Sequence, residues 1–339
     1  MKGRFGLARE LNSKSGVTRL PQLISVFALA SALTGGVLQA QNGQEPLAGG
    51  PALTFKSGVD LVSVSIVVKD QKGRPVTGLS RKNFELFDAG RLRDIADFRS
   101  EASSVSVAVL LDTSGSMHIS GKWDSALDAV KKIAAELERA SDHSALFTFD
   151  NQLHVVQPFS TSPSKLVDAL NRVKPWGSTA VFDAIAETSK RLEAEGVARR
   201  AIIVITDGLD NRSKLDATDV SAAASAIDVP VYSFVVSSTL DRQSEEAASE
   251  SGVLTPSRGT LDDLSRWTGG ASFVSTTPME RASAVKKIIT ELRHQYVMTF
   301  ESGSPAGWHP LLVRVREGNN LVVRARSGYM AGPRAGGRS

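Results

Sequence analysis

The feature that most constrains the fold is a set of nearly unbroken apolar runs separated by amphipathic stretches. Residues 105–111 (VSVAVLL), 201–206 (AIIVIT) and 229–236 (VPVYSFVV) have the composition of strands that are buried on both faces. Between them, residues 123–137 and 181–192 carry apolar side chains at three- and four-residue steps, the period of a helix packed on one side. Alternating strands and helices of this kind predict a doubly wound α/β fold with a mostly parallel sheet.

Both flanks of this unit are rich in β-strand patterns. Residues 62–68 and 84–87 before it, and 296–300, 311–315 and 321–325 after it, read as short or alternating strands. We therefore expect a small β-sandwich built from the N- and C-terminal segments, with two independent β-hairpins as the alternative. The predicted domains are an N-terminal β segment at 53–100, the α/β domain at 104–292, a C-terminal β segment at 293–330 and a disordered tail at 331–339.

The first 40 residues have the pattern of a secretory signal. Five Lys and Arg residues precede a mostly apolar run at 23–38, which ends in Gln39-Ala40. We predict a signal peptide at 1–40, cleaved after Ala40, and a flexible linker at 41–52. An uncleaved membrane anchor is the alternative. The mature chain is expected to be exported, periplasmic or extracellular, with no membrane span once the signal is removed.

The composition excludes several classes of function. Residues 1–40 contain five of the 40 Lys and Arg residues and one of the 36 Asp and Glu residues, which leaves 35 of each in the mature chain. The positive net charge therefore belongs to the targeting segment and does not indicate a nucleic-acid partner. The chain has no cysteine, which excludes cysteine-ligated zinc and thiol catalysis.

Three short motifs follow predicted strands or precede a predicted helix. Asp112, Ser114 and Ser116 come directly after the first apolar run, Thr179 stands just before a helix, and Asp207 ends the AIIVIT run. A phosphate-binding loop at 115–122 (GSMHISGK) fails, because five residues separate its glycines where four are required. A nucleophilic serine is disfavoured because the five histidines are scattered and the G-x-S-x-G pattern is absent.

A cation site accounts for all three motifs together. In a doubly wound sheet, ligands collect at the carboxyl ends of the strands, where these five side chains are expected to lie. Five oxygen donors with only two charges suit Mg²⁺, with Mn²⁺ or Ca²⁺ as alternatives. Taken singly, the serines could cap a helix and Asp207 could form a turn. Asp210 and Asn211 could hold a second cation, although a turn is the simpler interpretation.

The pattern D-x-S-x-S, a downstream Thr and T-D-G resembles the metal-ion-dependent adhesion site of von Willebrand factor A domains. The segments GLSRKNFELFDAG, TGGASFV, LRHQYVMTF and RARSGY resemble the bacterial von Willebrand factor A-related family. The resemblance implies that Ser114, Ser116 and Thr179 contact the ion, and that Asp112 and Asp207 bind it directly or through water.

The donor set predicts a binding protein, and an enzyme is disfavoured because the sequence shows no motif for a general base. A cation held by few carboxylates keeps a free coordination position, so we expect a protein partner that offers an Asp or Glu to the metal. The expected function is an exported, divalent-cation-dependent interaction or adhesion module. The alternatives are a periplasmic assembly or chaperone-like subunit and a metal-dependent hydrolase.

One further pattern lies in the C-terminal strands. Four arginines occupy alternate positions in and next to the last two predicted strands, so their side chains are expected on one face: Arg314, Arg316, Arg324 and Arg326. We expect these arginines to form a solvated outer face of the sandwich, with a polyanion-binding stripe as the alternative.

Overall fold

The computed structural model describes residues 61–137, 140–193, 199–210, 212–226, 228–238, 241, 256–303, 305–316 and 320–331. All of these residues belong to one unit of the chain, Phe55–Ser339. The predicted signal peptide at 1–40, the linker at 41–52, Asn211 and all of the predicted tail except Ala331 lie outside the described residues.

Within the described residues the chain forms fourteen β-strands and six α-helices. The strands are β1 Leu61–Lys69, β2 Phe84–Asp88, β3 Arg91–Arg93, β4 Ile95–Arg99, β5 Ser106–Asp112, β6 His143–Phe149, β7 Leu153–Ser160, β8 Arg200–Thr206, β9 Val231–Val236, β10 Ser272–Ser275, β11 Tyr296–Glu301, β12 Gly307–Val315, β13 Val322–Arg324 and β14 Gly328–Ala331. The helices are α1 Lys122–Glu136, α2 Pro163–Leu170, α3 Val181–Glu193, α4 Ala217–Ala226, α5 Pro256–Trp267 and α6 Pro278–Arg293, and 3₁₀ turns occupy Arg81–Asn83 and Gly115–Gly121.

The central sheet has six strands in the order β10-β9-β8-β5-β6-β7. Its strand pairs are parallel except that β7 runs antiparallel to β6. Every residue of β5 is buried, because helices cover both faces of the sheet. Val109 of β5 packs into the core on one face and Leu110 into the core on the other. The predicted doubly wound, mostly parallel α/β fold is confirmed.

The helices bury the stripes that their sequence period predicts. α1, α2 and α6 contribute buried residues to one core, and α3, α4 and α5 contribute to the other. In α1, for example, Ala126, Val130 and Ile133 recur at three- and four-residue steps and are fully buried. The start of α6 is defined by a capping box, in which the Glu280 backbone N–H donates to the Thr277 hydroxyl at 3.2 Å.

The two flanks of the chain fold together as a β-sandwich. One sheet has the order β13-β1-β11-β4 and the other has the order β14-β12-β2-β3, so each combines N- and C-terminal strands. Val64 lies opposite Met298 in the first sheet, and Leu86 lies opposite Val313 in the second. All four side chains belong to one core. The predicted sandwich is confirmed, and the alternative of two independent hairpins is wrong.

Several strands of the structure are not indicated by the sequence patterns. β3, β4, β7, β10 and β14 were not predicted. β3 and β10 have only three and four residues, and β7 has one buried residue among eight. Short or mostly exposed strands carry too little periodicity to be recognised in a sequence.

The expectation of a solvated arginine face is wrong for half of its members. Arg314 and Arg316 are exposed, but Arg326 is buried, with only 3% of its surface accessible. Arg324 is paired with the buried carboxylate of Glu291, in α6, and its Nε donates to the Gly269 carbonyl at 3.0 Å. Arg324 and Arg326 therefore turn toward the protein interior and not into solvent.

Glu291 joins the sandwich to the α/β domain. Its side chain pairs with Arg324 and also accepts from Lys69 Nζ of β1 at 2.7 Å. Nearby, Asp228 accepts from the Ser65 hydroxyl at 2.8 Å. Because these partners come from both ends of the chain, the sandwich is attached to the α/β domain by buried polar contacts.

Replacing Met298 by Ala should destabilise the whole domain by about 2–5 kcal/mol, because Met298 is fully buried between β1 and β4. Met279→Ala is the matched control, since the Met279 side chain is 80% exposed. Urea unfolding measures both changes, and hydrogen exchange should show reduced protection in β1 for Met298→Ala alone. Equal stability of the two variants would contradict the shared core.

Charge reversal at Arg324 should destabilise the fold by roughly 3–5 kcal/mol, because it places a second carboxylate beside the buried Glu291. Arg314→Glu is the control on an exposed neighbour and should change the free energy of unfolding by less than about 1 kcal/mol. If both reversals had the same small effect in urea titrations, the interface role of Arg324 would be refuted.

Candidate metal site

The candidate site lies where β5 and β8 end side by side. The two strands are parallel neighbours, with Leu111 opposite Ile205. Asp112 is the last residue of β5, and Asp207 directly follows the last residue of β8. The chain leaves β5 toward β6 on one side of the sheet and later returns to β8 on the other side. Such a switch point opens a crevice at the carboxyl ends of the strands.

Asp112 is fully buried and held on both carboxylate oxygens. Oδ1 accepts from the Ser114 backbone N–H at 2.8 Å, and Oδ2 accepts from the Thr206 hydroxyl at 2.6 Å. Burial raises the pKa of Asp112 from 3.8 to about 6, and the nearby Asp207 carboxylate adds to this effect, against the lowering by the hydrogen bonds. Without a compensating positive charge, this carboxylate is therefore costly to ionise.

Two serine hydroxyls lie next to Asp112. The Oγ atoms of Ser114 and Ser116 are 3.0 Å apart, and Ser114 is almost fully buried. Ser114 has an extended backbone and precedes the 3₁₀ turn Gly115–Gly121. Two hydroxyl oxygens that converge beside a carboxylate are donors of the kind that hard cations prefer.

Thr179 reaches the same edge on the loop before α3, where it is 1% exposed. This loop is hydrogen-bonded to the one after β5: the Gly115 N–H donates to the Gly177 carbonyl at 2.9 Å, and the Trp176 N–H donates to Thr113 O at 2.5 Å. Gly177 has φ +119, and a Cβ there would lie 2.8 Å from the Cβ of Asp150. Only glycine suits that position.

Asp207 carries an interaction that the sequence patterns did not reveal. Lys122 Nζ, at the start of α1, donates to Asp207 Oδ2 at 3.2 Å and lies 3.3 Å from Asp241 Oδ2. Asp207 is 2% exposed and Lys122 is 9% exposed, so the ion pair is largely screened from water. The only sequence signal for Lys122 is the Gly-Lys pair that ends the rejected phosphate-loop pattern.

The structure thus brings all five predicted residues to one edge, on loops joined by hydrogen bonds. The third loop is connected as well, since the Arg212 N–H donates to Thr179 O at 3.0 Å. Among the described residues no three His, Cys, Asp or Glu side chains gather as a metal cluster. Of the five residues at this edge, Asp112 and Asp207 carry carboxylates, and Ser114, Ser116 and Thr179 carry neutral hydroxyl groups.

Two neighbouring groups have structural partners. Asp210 Oδ1 accepts from the backbone N–H groups of Arg212 at 3.2 Å and Ser213 at 3.1 Å, the geometry of a side-chain-supported turn. His118 is exposed, and its Nε2 lies 2.8 Å from the Pro175 carbonyl oxygen. Both contacts stabilise the loops around the site.

Comparison with known proteins agrees with this architecture. Residues 107–209 match the family model described as von Willebrand factor type A domain. This part of the chain is therefore similar to von Willebrand factor type A domains. No curated protein sequence matches the chain.

Solved structures include similar chains at low identity. A von Willebrand factor type A protein from Catenulispora acidiphila is 13% identical, with a TM-score of 0.46, and the match covers 81% of this chain and 76% of that one. An aerotolerance-related membrane protein from Bacteroides fragilis is 19% identical (TM-score 0.45; 56% and 98% covered). The conserved hypothetical protein BatB from Bacteroides thetaiotaomicron is 18% identical (TM-score 0.44; 55% and 97% covered).

The buried carboxylate makes the stability of the α/β domain pH-dependent when chelator keeps cations away. Below the ordinary pKa of 3.8 Asp112 is protonated in both states and has no effect. As the pH rises toward the folded pKa of about 6, only the unfolded chain ionises, so stability is lost. At pH 7 Asp112→Asn should recover up to roughly 3 kcal/mol, and the gain should vanish near pH 4.

Urea unfolding in chelator at both pH values measures this difference. Asp210→Asn is the control, because its Oδ1 accepts backbone hydrogen bonds that an amide oxygen can also accept. If Asp112→Asn destabilised the protein equally at both pH values, desolvation would not be the dominant cost at Asp112.

Proposed function

We propose that this chain is an exported, divalent-cation-dependent protein-interaction or adhesion module. The cation is held by Asp112, Ser114, Ser116, Thr179 and Asp207. The observation that carries the proposal is the donor set: five buried or half-buried oxygen side chains on three hydrogen-bonded loops at the switch point of the sheet.

The donor set fits a hard cation. Ser114, Ser116 and Thr179 supply neutral oxygens, and Asp112 and Asp207 contribute directly or through water. Mg²⁺ is the preferred ion in this proposal, with Mn²⁺ or Ca²⁺ as alternatives. When bound, the ion supplies a free coordination position for a carboxylate oxygen of the partner.

The proposed coordination favours an acidic partner. The two carboxylates match the charge of a divalent ion, and Lys122 adds one positive charge 3.2 Å from Asp207. Counted with Asp241, which lies 3.3 Å from Lys122, the ion, the three carboxylates and Lys122 are formally neutral before the partner arrives. An Asp or Glu of the partner would bind by direct coordination to the ion, whose Ser and Thr ligands are neutral, in a partly dry site where that contact is strong.

Export is proposed from the N-terminal sequence, where five basic residues precede an apolar run. Among the described residues, no helix is both long and apolar enough to cross a bilayer. An uncleaved anchor at residues 1–40 stays the alternative to a cleaved signal.

The same contact chemistry would serve an assembly or chaperone-like subunit that binds a periplasmic client through its carboxylates. A metal-dependent hydrolase would also need a base beside an activated water. The nearby His118 has its Nε2 engaged by the Pro175 carbonyl, which supports a role in holding the loops. We therefore propose a binding and not a catalytic role.

Calorimetric titration with Mg²⁺ tests the cation site. Asp112→Asn should weaken Mg²⁺ binding by at least about 100-fold, since loss of even an outer-shell partner costs roughly 10–100-fold in metal affinity. Ser116→Ala should weaken it less, because water can replace one neutral ligand. Asp210→Asn is the matched control and should bind Mg²⁺ as the wild type does.

Two results would contradict the proposal. Unchanged Mg²⁺ affinity in Asp112→Asn would refute the site at the end of β5. Loss of binding in Asp210→Asn alone would move the cation to the turn that follows Asp207.

A further inference from the structure

Three large apolar side chains are exposed around the candidate site. Trp176 is 84% exposed, Ile119 59% and Leu209 49%. Trp176 is the most exposed large apolar residue in the described part of the chain. Soluble proteins rarely leave such side chains grouped at one edge unless the edge is an interaction surface.

Each of the three belongs to a different loop of the site. Ile119 follows Ser116 by three residues, Trp176 precedes Thr179 by three, and Leu209 follows Asp207 by two. Because these loops are joined through Gly115–Gly177 and Arg212–Thr179 hydrogen bonds, the three side chains are carried around one centre. We call Ile119, Trp176 and Leu209 the apolar rim.

The rim is presented by fixed backbone. The Trp176 N–H is bonded to Thr113 O at 2.5 Å, and the preceding Pro175 is buried, with its carbonyl 2.8 Å from His118 Nε2. Ile119 has an extended backbone inside the 3₁₀ turn, followed by Ser120 at φ 56 and Gly121 at φ 71. A rigid aromatic anchor loses little conformational entropy on binding, which is why Trp is frequent at binding hot spots.

We propose that the apolar rim selects protein segments in which an Asp or Glu is flanked by bulky apolar side chains. This inference rests on the proposed function, since the carboxylate is the group that meets the cation. The cation fits the carboxylate, and the rim fits its apolar neighbours. Covering the rim also removes water from the charged contact, which strengthens it.

The test uses short capped peptides with one central Asp between two identical flanking residues, either Phe or Ser, in a Gly/Ser background. Binding to the full chain is measured by calorimetry in excess Mg²⁺. The Phe-flanked peptide should bind at least about tenfold more tightly than the Ser-flanked peptide. Replacing the central Asp by Asn, or adding chelator, should abolish binding of both.

Two rim variants and one control locate the preference. Trp176→Ser and Ile119→Ser should each reduce the preference for Phe flanks, to within about twofold for Trp176→Ser, while Mg²⁺ affinity is retained. Leu92→Ser on β3 is the matched control, because Leu92 is 59% exposed, as is Ile119. The control should keep the full preference.

The outcomes separate the two claims. Asp-dependent, Mg²⁺-dependent binding without any flank preference would uphold the proposed function and overturn the apolar rim. Flank preference that survives both Asn and chelator would overturn the metal-mediated contact and, with it, this pairing of carboxylate and apolar flank. Trp176-dependent self-association, or binding to anionic vesicles in place of the peptides, would overturn the proposal in favour of another occupant.

Discussion

The hydrogen bond from the Thr206 hydroxyl to the buried Asp112 carboxylate is the interaction on which the site depends. It joins the ends of β5 and β8 at 2.6 Å, at the point where the sheet reverses its winding. Burial there raises the pKa of Asp112 to about 6, so the fold holds a carboxylate in a position where its charge is expensive. This is the edge at which we propose that a cation binds, because a positive charge there would offset the cost of ionising Asp112.

The rest of the architecture supports this edge by packing. One apolar core lies on each face of the central sheet, between the sheet and its helices. A third core lies in the β-sandwich, where the N- and C-terminal strands pack together. The buried Glu291 attaches the sandwich to α6 through Lys69 and Arg324. These charged groups are stable in the interior because each has an oppositely charged partner.

Much of this could be read from the sequence. The period of the apolar residues predicted the α/β domain and the shared sandwich, and the spacing of Asp112, Ser114 and Ser116 placed their oxygens at a strand end. Local spacing was sufficient to predict that these three side chains lie close together, because they fall within five residues at the end of one strand. Lys122 and the apolar rim could not be predicted, since their environment depends on loops that are far apart in the chain.

The arginines at 324 and 326 show the limit most clearly. The alternation of apolar and charged residues in the sequence was enough to predict that the Arg324 and Arg326 side chains point away from the apolar core of the sandwich. Only the tertiary structure decided that protein, and not solvent, covers that second face. Similarly, the sequence determined the donors of the candidate site, whereas the packing of three loops decided their burial, the pKa of Asp112 and the ion pair of Asp207. The physical reason is that periodicity reports on contacts within one element, and burial and electrostatics depend on which other elements are packed against it.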